Sequence, residues 1–278
     1  MRLGLALSGG GIRGAAHIGV LKALEENQIP LYAIGGTSSG SMVAALYAMG
    51  YTAEEMLKLF KYFAKDVANM NPKGFLTNRK QEKGVRLDGF LSGFPIEVAF
   101  EEAANYKNMK TVQDFKVKTA ITATEIIEEK EYVFTNSEKE TDYYIKDIPI
   151  GKAVRASCSF PGIYGSCRYN EYRFVDGGVF DNLPTNEVRQ LGCDKVISIR
   201  FTRQEKNNMR SAYSVALKSL DLMFDHLMLP AIEQSDLALG LNCGDINLLA
   251  IGKIDYCYEQ GYKETIIKME KIKKLMIE

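Results

Sequence analysis

Residues 2–41 run RLGLALSGGGIRGAAHIGVLKALEENQIPLYAIGGTSSGS, and this stretch decides the fold. Residues 2–7 are an apolar run of strand length. A glycine-rich turn, SGGGIRG, follows at 8–14. Residues 15–28 place Ile18, Leu21 and Leu24 on one helical face, and Pro30 stops that helix. The order then repeats: residues 31–35 (LYAIG) predict a second strand, GTSSG at 36–40 a tight turn, and SMVAALYAMG a second helix. Strand–turn–helix twice over predicts an α/β protein, with parallel strands and helices packed on their faces.

Further along, residues 52–115 predict a helical insertion or lid, punctuated by Gly74, Gly84, Gly89 and Gly93. Strands are expected at 117–126, 131–135, 172–176, 195–201 and 246–251. Helices are expected at 149–157, 211–239 and 259–275, with another started by Pro184 at its first helical position. No repeat or linker interrupts the chain, so residues 1–278 predict a single domain.

Bulk properties exclude several classes. With 35 basic and 35 acidic residues the formal net charge is zero, which argues against a nucleic-acid partner. The five cysteines, Cys158, Cys167, Cys193, Cys243 and Cys257, are odd in number and contain no CxxC pair. They predict neither a disulfide framework nor a metal site, and they fit a reducing, cytoplasmic setting. No apolar run reaches the roughly 18 residues of a membrane span. The N-terminal apolar run stops at Leu7 and Arg13 follows soon after, so it is taken as a strand and not a signal peptide.

Gly36-Thr37-Ser38-Ser39-Gly40 matches G-x-S-x-G in the strand–turn–helix context that a nucleophile elbow requires. Glycines on either side let strand and helix approach, and the following helix points N–H groups at developing negative charge. A packing turn of small residues is the bland alternative. Ser39 and Ser41 are off-centre and suit helix capping.

The other turn, Gly9-Gly10-Gly11-Ile12-Arg13-Gly14, fits either a dinucleotide fingerprint or a backbone oxyanion hole. The dinucleotide reading needs an acid at the end of the second strand, where Ile34-Gly35-Gly36 stands instead. No cofactor is therefore expected. Arg13 could meet a substrate phosphate or carboxylate; pairing with a buried acid or with its own backbone is favoured. Asp176, ahead of Gly177-Gly178, is shaped to approach a catalytic serine, although Asp-Gly turns are common.

Only two histidines exist, His17 and His226. A Ser–His–Asp triad in the α/β-hydrolase order needs a late histidine on a loop. His226 sits within a helical stretch and His17 inside the first helix, so a Ser38–Asp176 dyad is the better reading.

Together, GGGIRG at 9–14, GTSSGS at 36–41, KAVRASCSFPGIY at 152–164 and DGGVFDNLP at 176–184 resemble the patatin-like phospholipase family, over most of residues 1–200. The resemblance implies a three-layer α/β/α fold with a mostly parallel central sheet, Ser38 as nucleophile and Asp176 as base. It implies an oxyanion hole from the N–H groups of Gly10 and Gly11, with Gly9 and Gly14 shaping the turn. Asn182 and Pro184 match the family pattern and are taken as structural. The implied activity is a lipid acyl hydrolase with lipid or phospholipid as partner and peripheral membrane contact. The rivals are an acyltransferase using the same acyl-enzyme, a nucleotide-binding module and a non-catalytic scaffold.

An acyl chain needs an apolar groove. Met49, Met56, Leu57, Phe60 and Phe63 form one candidate, and Met223, Phe224, Leu227 and Met228 another; ordinary core is the favoured reading of both. The basic, amphipathic KMEKIKKLMIE at the end suits a solvated closing helix better than a lipid-binding one.

Overall fold

The leading strand–turn–helix repeat sets the frame of the computed structural model, which describes residues 1–68, 88–202, 211–244, 246 and 250–277. The strands in chain order are β1 (Leu3–Leu7), β2 (Ala33–Gly36), β3 (Lys118–Glu125), β4 (Lys130–Thr135), β5 (Tyr144–Ile145), β6 (Cys167–Tyr169), β7 (Tyr172–Asp176), β8 (Lys195–Thr202) and β9 (Leu237–Asn242). The helices are α1 (Ala15–Glu26), α2 (Ser39–Ala48), α3 (Ala53–Ala68), α4 (Phe94–Tyr106), α5 (Ile150–Ser157), α6 (Thr185–Gln190), α7 (Ala212–Leu227), α8 (Leu229–Gln234) and α9 (Ile254–Leu275).

The sheet runs β5-β4-β3-β2-β1-β8-β9. Its centre, β3-β2-β1-β8-β9, is parallel throughout, and β4 and β7 are antiparallel to β3. β1 is buried at every position, as expected of a strand covered on both faces. The larger core joins β1 to α1, α2, α3, α4, α5 and α9; a smaller one lies under α6, with Leu183, Val188 and Leu191 against Ala6, Ala33 and Val196. Helices thus cover both faces of a mostly parallel sheet, the three-layer arrangement.

One feature of the register positions the site. β3 pairs with β4 along one edge over residues 120–125. Its other edge is shared: β2 occupies it up to Gly36↔Ile121, and β7 arrives from the opposite direction to end at Asp176↔Ala123. The C-terminal ends of β2 and β7 therefore meet head-on across Thr122. Ser38 leaves one end and Asp176 closes the other.

Three expectations are corrected. The helix expected over 211–239 is interrupted at Met228, because Pro230 cannot continue α7 and instead starts α8 in its first turn. Residues 237–242 are then the edge strand β9, with Leu239 and Leu241 buried and the residues between them exposed. Of the strand expected at 246–251, Ile246 and Ala250 have no regular structure and Ile251 opens a short 3-10 turn; residues 247–249 lie outside the described residues. Pro184 stands one place before its helix, at the cap, and not at the first helical position.

Within the expected insertion, α3 opens on a reciprocal capping box. The Thr52 N–H donates to the Glu55 carboxylate at 2.8 Å, and the Glu55 N–H donates to Thr52 Oγ1 at 3.3 Å.

Candidate active site

Ser38 sits at φ 53°, ψ −123°, a conformation that L side chains seldom adopt and that costs on the order of 1–3 kcal/mol. Its neighbours hold it there. The Ser38 N–H donates to Ser157 Oγ at 3.0 Å, and the Ser38 carbonyl accepts from Ser41 Oγ at 2.6 Å and from the Ser41 N–H at 2.9 Å. Thr37 Oγ1 donates to the Asp181 carbonyl at 2.8 Å and lies 2.7 Å from Thr122 Oγ1. The flanking glycines are sterically required: a Cβ on Gly36 would stand 2.3 Å from the Gly40 carbonyl, and one on Gly40 2.3 Å from that of Leu7. The elbow is thus pinned to β1, β3 and the end of α5.

Asp176 is fully buried. One carboxylate oxygen, Oδ1, accepts the Gly178 N–H at 2.9 Å. The other, Oδ2, is buried and accepts no hydrogen bond among the described residues. Burial pushes the carboxyl pKa up to about 7, against the opposing pull of the Gly178 N–H and the neighbouring Ser38 hydroxyl. That hydroxyl acts on the carboxyl as a hydrogen-bonding neighbour, although no complete hydrogen bond to Oδ2 is formed. Catalytic pairs commonly tighten only once substrate is bound.

The glycine turn lies alongside. The Gly9 N–H is taken up by Asn182, whose carbonyl and Oδ1 both accept it at 3.2 Å. The N–H groups of Gly10 and Gly11 meet no acceptor among the described residues, and both glycines line the same cavity as Ser38. Gly14 packs on Ser39, where an added Cβ would stand 2.6 Å from the Ser39 Cβ. Arg13 is buried, donates its Nε–H to the Gly10 carbonyl at 3.1 Å and lays its guanidinium over the Phe201 ring at 5.1 Å.

Neither histidine lines the cavity. His17 is fully buried behind the turn, against Phe201 at 4.8 Å. Its Nε2–H donates to the Ser8 carbonyl at 2.9 Å, and burial holds its pKa down at about 4, so it is neutral and braces the turn. His226 is exposed in the last turn of α7.

The cavity of about 410 Å³ is largely apolar, with Ser38, Asp176, Gly10 and Gly11 at its polar end. The two apolar clusters marked in the sequence each divide between groove and other roles. Phe60 and Phe63 of α3 face the cavity while Met49 and Met56 are core. Phe224 and Met228 face it from the other side, while Met223 and Leu227 are exposed outward. Cys158 also lines the cavity, and burial followed by the charge of Asp176 pushes its thiol pKa up, so it stays protonated.

Ser157, Thr122 and the bonding role of Asn182 were missed by sequence reasoning. Ser157 and Asn182 lie inside the quoted blocks, but nothing local marks which backbone group each serves.

A strained serine on a strand–helix elbow and a buried carboxylate with a raised pKa thus meet at the polar end of an apolar cavity, an arrangement that nucleophilic catalysis by a serine requires. The sequence matches the patatin-like phospholipase family over residues 5–189. The chain belongs to that family.

It is 32% identical over 200 residues to the lysophospholipase NTE1 of Meyerozyma guilliermondii, covering 71% of this chain and 12% of that protein. It is 29% identical over 197 residues to the same enzyme of Candida albicans, covering 71% of this chain and 13% of that one. The chain therefore spans about an eighth of the length of these curated relatives. Two solved structures share the fold. VipD from Legionella pneumophila has a TM-score of 0.55 at 14% identity, over 97% of this chain and 67% of that one. The ExoU–SpcU complex of Pseudomonas aeruginosa has a TM-score of 0.55 at 17% identity, over 98% of this chain and 51% of that one.

Proposed function

We propose that the chain is a serine acyl hydrolase of lipid esters, of the phospholipase A, lysophospholipase or carboxylesterase type, working through a Ser38–Asp176 dyad. The observation that carries this reading is the buried, unpartnered Oδ2 of Asp176 beside a Ser38 held in a strained elbow. An otherwise uncompensated buried carboxylate oxygen costs stability, and it is useful where a proton must be accepted.

Asp176 takes the Ser38 hydroxyl proton as Oγ attacks the ester carbonyl carbon. The carbonyl oxygen becomes an oxyanion held by the N–H groups of Gly10 and Gly11. The carbon–oxygen bond to the alcohol breaks, and Asp176 returns the proton to the departing alkoxide. Water then attacks the acyl-enzyme, giving its proton to Asp176; collapse of the second tetrahedral intermediate releases the fatty acid and restores Ser38. The acyl chain lies among Phe60, Phe63 and Ile96, which line the apolar part of the cavity.

A lipid aggregate is the proposed partner, met peripherally. No helix among the described residues is long and apolar enough to cross a membrane. Hydrolysis of p-nitrophenyl butyrate by wild type, Ser38→Ala and Asp176→Asn tests the dyad. Both variants are expected to lose turnover, and a variant with wild-type turnover removes its residue from the mechanism.

A further inference from the structure

The serine and the aspartate have identified supports, and the glycine turn alongside them must also be held in place. Its N–H donors can stabilise an oxyanion only if the backbone keeps them pointed into the cavity. Gly10 and Gly11 carry no side chain to anchor that backbone. We infer, on the strength of the hydrolase reading above, that Asn182 is a positioning residue of this turn, acting with Arg13 and His17, and that it links the turn to helices α7 and α8, the roof of the cavity.

Two hydrogen bonds of one side chain, and its close approach to Gly178, carry the inference. First, Oδ1 of Asn182 accepts the Gly9 N–H at 3.2 Å, reinforcing the bond to its own carbonyl at the same distance. It takes up the space a side chain on residue 9 would need: a Cβ there would stand 2.4 Å from Oδ1. The first glycine of the turn is accounted for by Asn182. Second, the same oxygen lies 3.0 Å from where a Cβ on Gly178 would be, and it is the Gly178 N–H that holds Asp176 Oδ1. Third, Nδ2 donates to the thioether of Met228, 3.5 Å away, at the junction of α7 and α8. The orientation of the amide is fixed, because the Gly9 N–H needs an oxygen and the thioether cannot donate. Asn182 is 6% exposed, so these bonds are screened little by water.

One side chain therefore touches the turn bearing the oxyanion donors, the loop that holds the base, and the roof. A roof displaced outward would withdraw Met228 from Asn182 and loosen the turn. Roof position and oxyanion stabilisation are coupled through this amide.

The test compares Asn182→Ala, Asn182→Asp and Met228→Leu with wild type. The readouts are the rate of Ser38 phosphonylation by a small fluorophosphonate, kcat and KM on p-nitrophenyl butyrate, and Tm. Removing Oδ1 is expected to slow both phosphonylation and kcat roughly 10- to 100-fold while KM moves less than about threefold, a partial loss of oxyanion stabilisation. Asn182→Asp keeps an acceptor for the Gly9 N–H but adds a carboxylate near Asp176. It is expected to recover part of the rate, with its pH profile displaced to the alkaline side. Met228→Leu, which loses only the sulfur acceptor, is expected to slow phosphonylation by about two- to fivefold.

Wild-type phosphonylation of Asn182→Ala overturns the inference. A raised KM with unchanged kcat also overturns it, by making Asn182 a substrate contact. Should the alanine variant fail to fold, the aspartate variant decides, and a pH profile coincident with wild type is the contrary result. Failure of wild type itself to react would strike the hydrolase reading and not Asn182.

Discussion

The floor of the cavity is made of strand ends: Ser38 after β2, Asp176 at the end of β7 and the glycine turn after β1, each held by buried or part-buried hydrogen bonds. The roof is helical. Phe224 of α7 reaches down to Phe160, with ring centroids 5.5 Å apart, and Met228 reaches Asn182. On their outer side the same helices leave Leu222 and Met223 55% and 60% exposed. The floor is over-determined, as strained catalytic backbone requires, whereas the roof has apolar surface on both sides. The proposed mechanism puts chemistry in the floor and access in the roof, so perturbing the two should have different consequences.

The largest effects are expected in the floor. Ser38→Ala and Asp176→Asn should each lower kcat on a soluble ester by on the order of 10⁴-fold or more, read by steady-state hydrolysis. Residual activity in either variant at a tenth of wild type would break the distinction between floor and roof.

Next is the pH response of the base. Asp176 accepts a proton only when ionised, and its pKa is raised to about 7, so kcat/KM should rise with pH through that region and level off above it. The stability effect has the opposite sign. The folded state holds the Asp176 proton more tightly than the unfolded chain does, so stability falls as pH rises from the ordinary carboxylate range to about 7 and stays low above it. Asp176→Asn should therefore raise Tm at pH 8 relative to wild type and leave it nearly unchanged at pH 4, measured by calorimetry. A lower Tm for the variant at pH 8 would contradict the unpartnered state of Oδ2.

A smaller effect is expected at Ser157. Ser157→Ala leaves the part-buried Ser38 N–H without its acceptor, which costs on the order of 1 kcal/mol. Denaturant melts should show that loss, and kcat should fall by about tenfold as the elbow relaxes.

The smallest effect on soluble substrate is expected at the outer face of the roof. Leu222→Glu and Met223→Glu should leave p-nitrophenyl butyrate hydrolysis within about twofold, since substitutions at exposed sites seldom disturb a fold. The same variants should weaken flotation with phosphatidylcholine vesicles. Unchanged flotation would show that this face does not meet lipid.

The same contrast explains what the sequence could disclose. The floor's two turns are local: each lies between a strand and a helix adjacent in sequence, so Gly9–Gly14 and Gly36–Gly40 are visible with their context. Asp176 was recognisable as a strand-ending aspartate. Its meeting with Ser38 depends on β2 and β7 sharing one edge of β3, through pairings between residues far apart in sequence, such as Gly36 with Ile121 and Ala123 with Asp176. Hydrophobic periodicity carries no information about that partner.

In the roof, helical spacing persists through Asp221–Leu229 and masks the break at Pro230. The alternation of Leu237, Leu239 and Leu241, which marks β9, was absorbed into the same helix. Ser157 and Asn182 lie inside the recognised blocks, but a side chain's hydrogen-bond partner is a three-dimensional fact.

The central claim is that Ser38 is the nucleophile and Asp176 its base. Fluorophosphonate labelling, followed by intact mass and peptide mapping of wild type, Ser38→Ala and Asp176→Asn, tests it most directly. The account predicts a single adduct on the Ser38 peptide in wild type, none in Ser38→Ala, and much slower labelling in Asp176→Asn. An adduct on another residue, or Asp176→Asn labelled as fast as wild type, would contradict it.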